Sequence, residues 1–301
     1  MINGLINVYK EKGYSSFDVC AVMRGISGQR KVGHTGTLDP NAEGVLPICL
    51  GNATKLCDML KDKRKEYVAT FMLGKRTDTL DIWGTVLEER APKVSEDELR
   101  KAIMSFEGGY DQLPPMYSAK KIDGQRLYDL ARKGREVERE AVFVKIHKIE
   151  ILDIKYPEVT IKVDCGKGTY IRSLCEDIAY KCGEIAVMTS LTRTRVSDFV
   201  IEEAYTIDKL TEIKNRGELL SVVKPTDFAF MDYDKITVLK SYRKYIDNGN
   251  KLSFDMIDKK KDFEDGEIVR IYNDDEEFVG LYLYSRAIGA LKPYKMFTVA
   301  Q

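Results

Sequence analysis

The sequence predicts an α+β protein: a mixed, largely antiparallel sheet with peripheral helices, followed by a small β-rich unit near the C-terminus. Three observations carry that expectation. Residues 66–73 and 159–165 combine β-branched and aromatic side chains with partial apolar/polar alternation, the pattern of half-buried strands. Strand candidates far outnumber clean strand–helix–strand units, so a doubly wound parallel sheet is not expected. Around Lys224-Pro225-Thr226-Asp227 the pattern shifts to short strand candidates at 235–239, 267–272, 277–284 and 294–299, separated by Gly, Asn and Asp.

In chain order, the first ten residues lack a positive region ahead of their apolar side chains, so no secretory leader is expected. Next comes a loop, Gly33-His34-Thr35-Gly36-Thr37-Leu38-Asp39-Pro40 and then Asn41-Ala42-Glu43-Gly44, leading into the apolar run Val45 to Leu50. Its glycines allow close backbone approach, and Pro40 keeps Asp39 out of helical geometry. A carboxylate displayed this way is either a turn-former or a reactive group, and local chemistry does not choose between them. Ser95 with Glu98 is a capping-box pattern, predicting a helix whose Leu99, Ile103 and Phe106 share a face up to Gly108-Gly109. A strand is expected around His147. A second helix is expected after Arg172, with Leu174, Cys175, Ile178 and Ala179 on one side and Gly183 as its stop. The final β-rich unit spans roughly 70 residues, a feasible domain size.

Composition narrows the chemistry. With 301 residues, 44% of them hydrophobic and 32% charged, the chain suits a soluble globular protein with one large core and a smaller unit. No run approaches the ~20 apolar residues of a membrane span. The six cysteines contain no Cys-x-x-Cys pair, and several sit in apolar patterns, so buried reduced thiols and a cytoplasmic location are expected. With two histidines, His34 and His147, and no cysteine pairing, neither a zinc site nor any other metal is expected.

The run from His34 to Pro40, with Gly44-Val45-Leu46-Pro47-Ile48-Cys49-Leu50-Gly51-Asn52-Ala53-Thr54-Lys55 after it, resembles the catalytic motif of bacterial tRNA pseudouridine-55 synthases, the TruB family. Three further blocks resemble that family in the same order. They are Lys65-Glu66-Tyr67, Tyr117-Ser118-Ala119 through Gly124 and Tyr128, and Lys167-Gly168-Thr169-Tyr170-Ile171-Arg172; Arg193 to Val200 closes the similar portion. The C-terminal unit resembles a PUA-type RNA-binding domain, on Phe263-Glu264-Asp265-Gly266-Glu267-Ile268-Val269-Arg270 and on its position. The resemblance therefore implies a catalytic domain over 1–228 and a PUA-like domain over 229–301. One departure stands out: the family's Lys-Pro-x-Gly pattern reads Lys10-Glu11-Lys12-Gly13 here.

The resemblance implies a cofactor-free isomerase that converts the T-loop uridine of tRNA to pseudouridine. Asp39 would be the nucleophile, by attack on ribose or base or by promoting elimination. Arg172 would hold and orient it, since a cation near a helix start needs an anionic partner. Tyr67 would stack on the uracil and assist proton transfer, although a Tyr opening a strand also suits a core. Tyr170 and Leu191 would line the pocket. His34 would insert into the tRNA loop, Gly36 and Thr37 belong to the motif backbone, and Lys120 and Arg126 would face the RNA.

The formal net charge is zero, so the charge distribution matters more than its sum. Residues 61–65 carry four positive charges against one negative, and 118–135 carry six against two, whereas 262–277 hold eight acidic residues and only Arg270. The basic blocks are candidate phosphate contacts, with a solvated face as the alternative. The expected partner is the tRNA T-arm, bound by a monomer without membrane or guide RNA. Three other readings remain at this point: a tRNA-binding or folding protein without essential catalysis, a guide-RNA-dependent dyskerin-like synthase, and a metal-dependent hydrolase using His34, Asp39 and His147.

Overall fold

The computed structural model describes residues 1–297 other than 119, 123, 136, 259 and 260. Its main sheet contains Gly4–Lys10 (β1), Val32–His34 (β2), Glu43–Leu50 (β3), Lys65–Leu73 (β4), Ile146–Lys155 (β5), Glu158–Cys165 (β6) and Ala186–Val196 (β7). The order is β1-β3-β7-β4-β6-β5, with β2 beside β3. Every pairing among these strands is antiparallel except β3 with β7. The fold is thus α+β, with a mixed and largely antiparallel sheet. The helices of three or more turns or nearly so are Ser16–Ser27 (α1), Glu96–Met104 (α2), Ile171–Lys181 (α3) and Ile207–Asn215 (α4).

Burial explains the strands that the alternation predicted. In β4, Lys65, Tyr67, Ala69, Phe71 and Leu73 are buried in turn, and β6 does the same with Val159, Ile161, Val163 and Cys165. Period-two burial means that one face meets a core. That face is covered by α2 and α3 through Leu99, Ile103, Leu174, Cys175 and Ile178. In β3, Gly44 to Leu50 are buried without interruption, because both faces are covered. Leu46, Ile48 and Leu50 face α1 and α4, while Val45 and Cys49 join Phe230, Leu281 and Phe297 on the other side.

Helix α2 starts where its capping box predicted: the Ser95 hydroxyl accepts from the Glu98 N–H, and the Glu98 carboxylate accepts from the Ser95 N–H. It ends at Met104 rather than near Gly108. The N–H groups of Phe106 and Glu107 bond to the carbonyls of Ile103 and Met104, so the chain tightens into single turns. Phe106 remains buried, edge-on to Tyr110.

A second sheet follows, built from Lys235–Thr237 (β8), Ile268–Tyr272 (β9), Phe278–Ser285 (β10) and Ala290–Met296 (β11) in that order. Its last strand begins at Ala290 rather than 294, since a turn through Gly289 brings Ala290 opposite Ser285. Residues 298 and 299 of the expected strand lie outside the described residues. Ile236, Val269, Ile271, Tyr282 and Leu291 form the core of this unit. Among the described residues, no helix is long and apolar enough to cross a membrane.

Phe71 is fully buried at the centre of the sheet–helix core. Phe71→Ala is expected to lower unfolding free energy by about 3–5 kcal/mol. Urea titration should show a lower midpoint with an unchanged slope; an unmoved midpoint would contradict this packing.

Candidate active site

Asp39 lies in the segment between β2 and β3, and several contacts pin that segment. The Ser16 hydroxyl, at the start of α1, accepts from the Leu38 N–H at 2.9 Å and donates to the Leu38 carbonyl at 3.2 Å. On the other side of Asp39, the Lys10 ammonium donates to the carbonyls of Ala42 at 2.5 Å and Pro40 at 3.0 Å. Lys10 is fully buried, and burial, countered in part by the Asp39 charge, brings its pKa down to about 8. The Gly13 N–H also donates to Pro40, so the turn closes on this segment although Glu11 stands where the family has proline.

The parallel junction of β3 and β7 supplies the remaining support. Gly44 has φ +104°, and a Cβ there would sit 2.2 Å from the Arg193 carbonyl oxygen, so this close approach needs glycine. Arg193 is 1% exposed. Its guanidinium donates to the carbonyls of Val45 at 2.7 Å and Gly36 at 3.2 Å.

Arg172, in the first turn of α3, meets Asp39 with Nε 2.9 Å from Oδ2. Its other nitrogens donate to the carbonyls of Thr79 and Tyr117, each at 2.8 Å, and Nη1 lies 4.0 Å from an Asp81 carboxylate oxygen. The arginine is therefore no surface residue: its side chain is 6% exposed, whereas that of Asp39 is 41% exposed. The carboxylate is oriented by the pair yet still open to the cavity beside it.

That cavity holds about 230 Å³ and is lined by Gly36, Thr37, Asp39, Tyr67, Tyr170, Leu191 and Arg172, among others. It is smaller than the roughly 300–1,000 Å³ of drug-sized sites, and so suits one flat heterocycle. Burial pushes the Tyr67 phenol pKa up. Lys65 and Arg193 also line it. Lys65 corrects one expectation: it is not a surface phosphate contact but a buried cation donating to the carbonyls of Lys61 and Lys63, with burial bringing its pKa down to about 8. Arg64 of the same basic block is paired with Asp164 at 2.5 Å and Lys61, at the cavity, with Asp58 at 2.8 Å, while the Lys63 ammonium lies over the Tyr233 ring.

His34 stands beside the cavity rather than in its lining, half-buried and edge-on to the exposed Phe17 at 6.4 Å. Its Nδ1 accepts from the Gly36 N–H at 3.3 Å. Lys120 is not among the lining residues, and the Arg126 side chain lies outside the described residues. His147 is in β5, away from Asp39; among the described residues no group of His, Cys, Asp and Glu is placed to hold a metal ion. Sequence reasoning assigned no role to Arg193, Lys10, Ser16 or Asp81. For Arg193 one signal existed: it follows Leu191 by two in a strand, which turns a basic side chain inward.

Comparison with known proteins places the chain in a family. The family model described as TruB family pseudouridylate synthase (N terminal domain) matches residues 24–171, and that described as tRNA pseudouridylate synthase B C-terminal domain matches 172–231. A tRNA pseudouridine synthase B from Lachnoclostridium phytofermentans is 46% identical, covering 98% of this chain and 100% of that protein. Its namesake from Clostridium tetani is also 46% identical, over 93% of this chain and 95% of that protein. Among solved structures, an H/ACA RNP bound to a substrate RNA containing 2'-deoxyuridine aligns with a TM-score of 0.75 at 26% identity, over 99% of this chain and 86% of that one. A Cbf5-Nop10-Gar1 complex does so at 0.75 and 28%, over 99% and 85%.

His34 is expected to titrate below the ordinary histidine value of 6.5, first because of burial and then because of the positive Lys61 and Arg193. With the folded-state value depressed, any stability tied to His34 is present above 6.5 and lost as pH falls through the folded value. Imidazole NMR, assigned with His34→Gln, should give a midpoint under 6.5; one at or above it would contradict this environment.

Proposed function

The chain belongs to the TruB family of pseudouridylate synthases, and from that premise we propose that it isomerises the T-loop uridine of tRNA to pseudouridine, with Asp39 as nucleophile. The reaction breaks the bond between ribose C1′ and uracil N1, joins C1′ to C5, releases the C5 proton and returns a proton to N1. The observation that carries the reading is the 2.9 Å Arg172–Asp39 pair beside a base-sized cavity walled by Tyr67, Tyr170 and Leu191.

In this reading a uridine leaves the RNA stack, at a cost on the order of a few kcal/mol. Stacking on Tyr67 and Tyr170, worth about 1–3 kcal/mol per base, offsets that cost, and Leu191 closes the pocket. Gly36 and Thr37 let the nucleotide backbone pass close to the Asp39 loop. His34, at the mouth, contacts the tRNA loop, while Lys120 and Arg126 meet phosphates farther out. Arg172 keeps the carboxylate aimed at the reacting carbon, and the site needs no cofactor or metal. The protein acts in the cytoplasm as a monomer on the T-arm, without guide RNA, and its 229–301 unit is a PUA-like RNA-binding domain. The likeness to a protein of H/ACA particles supports a second reading, a guide-dependent synthase, which bare tRNA separates from the first.

Tritium release from tRNA labelled at uracil C5, in chelator and without cofactor or added RNA, tests the proposal. Wild-type protein is expected to release tritium from the T-loop position, and Asp39→Asn to release none above background. Equal release by the variant would remove Asp39 from the chemistry; no release by either would reject unaided isomerisation.

A further inference from the structure

The Tyr110–Gln112 strand pairs with Val142–Val144 as a two-stranded ribbon outside the main sheet. Gln112 is 1% exposed, and its side-chain amide engages the backbone of a single residue of the candidate site on both sides. The Tyr170 N–H donates to Gln112 Oε1 at 2.8 Å, and Gln112 Nε2 donates to the Tyr170 carbonyl at 3.0 Å. The other Nε2 hydrogen goes to the Tyr110 hydroxyl at 2.6 Å, which in turn donates to Asp177 Oδ2 at 2.7 Å. Each donor has one acceptor, so the amide has a single satisfied orientation. Turned over, it would set its NH₂ against the Tyr170 N–H and its carbonyl against the Tyr170 oxygen.

Tyr170 is the residue before α3, extended at φ −95° and ψ 110°, and its own side chain makes no capping bond. Its carbonyl accepts the first helical hydrogen bond, from the Leu174 N–H at 3.0 Å, but its N–H points away from the helix and needs an acceptor from elsewhere, while its side chain must line the cavity and Arg172 follows two residues later. The Gln112 amide supplies the missing constraint. We propose that Gln112 is a positioning residue: by gripping both sides of Tyr170 it sets that ring, and through the first turn of α3 the Arg172 guanidinium, in the geometry the reaction needs. Tyr110 and Asp177 hold the amide in its gripping orientation. Only the link to catalysis rests on the function proposed above.

Two variants test this by steady-state tritium release and by amide hydrogen exchange at Tyr170. Gln112→Leu keeps the volume and removes the grip, while Tyr110→Phe leaves the grip but frees the amide to rotate. Because misplacement of a reacting group by an ångström can cost on the order of a hundredfold, kcat is expected to fall at least about tenfold in the first and roughly threefold in the second. KM for tRNA should stay within about twofold in both, with faster exchange at the Tyr170 amide. A folded Gln112→Leu with wild-type kcat, or a loss confined to KM, would overturn the inference. If Gln112→Leu does not fold, Tyr110→Phe decides alone: lower kcat with unchanged KM supports the role, and unchanged kcat overturns it. Silence of the wild-type protein in this assay would instead count against the proposed function.

Discussion

One buried guanidinium, that of Arg172, holds three separate stretches of chain together. It joins the Asp39 segment, the Thr79–Asp81 turn and the Tyr117 loop at one point, with an acceptor for each of its three nitrogens. Stripping water from such a cation costs several kcal/mol, of the order seen for buried ions generally, and only good geometry returns it. The arrangement therefore contributes more to uniqueness than to stability. The Asp39 carboxylate stays open to the cavity while its partner is buried.

The same device recurs around Asp39. Lys10, Lys65 and Arg193 are all buried cations whose partners are main-chain carbonyls on either side of the cavity. Carbonyls fix a loop without neutralising the charge, so a positive field remains around a site proposed to receive a polyanion. The sheet makes this possible: β3 and β7 run parallel where Gly44 lets them close, which brings the loop over β4 and its Tyr67. The acidic C-terminal stretch is partly neutralised within its own unit, with Arg243 facing Asp274 and Asp275 and Lys261 facing Glu267.

How far the sequence could be read follows from what each element faces. Strands β4 and β6 were readable because one face is buried and alternation survives. Strand β7 was not, although it is central, since Thr189, Ser190, Thr192 and Thr194 give it a polar look and its inward Arg193 serves the loop. Strand β3 hid for the opposite reason: burial on both faces leaves an apolar run without a period. At the site, Asp39, Tyr67, Tyr170, Leu191 and Arg172 came through motif resemblance, and they share one cavity. Gln112, Lys10 and Ser16 escaped because their partners are backbone groups of residues 170, 40, 42 and 38, and no side-chain pattern encodes a contact with a distant peptide.

Arg172 orients Asp39 through the fork of its guanidinium and not merely through its charge, because its other two nitrogens are tied to the Thr79 and Tyr117 carbonyls. The most direct measurement is kcat and tRNA affinity for Arg172→Lys, which keeps the charge and loses the fork. The lysine variant is expected to show kcat lower by about a hundredfold or more, the scale of losing one aligned electrostatic contact, with affinity for tRNA little changed. A lysine variant as active as the wild type would contradict it.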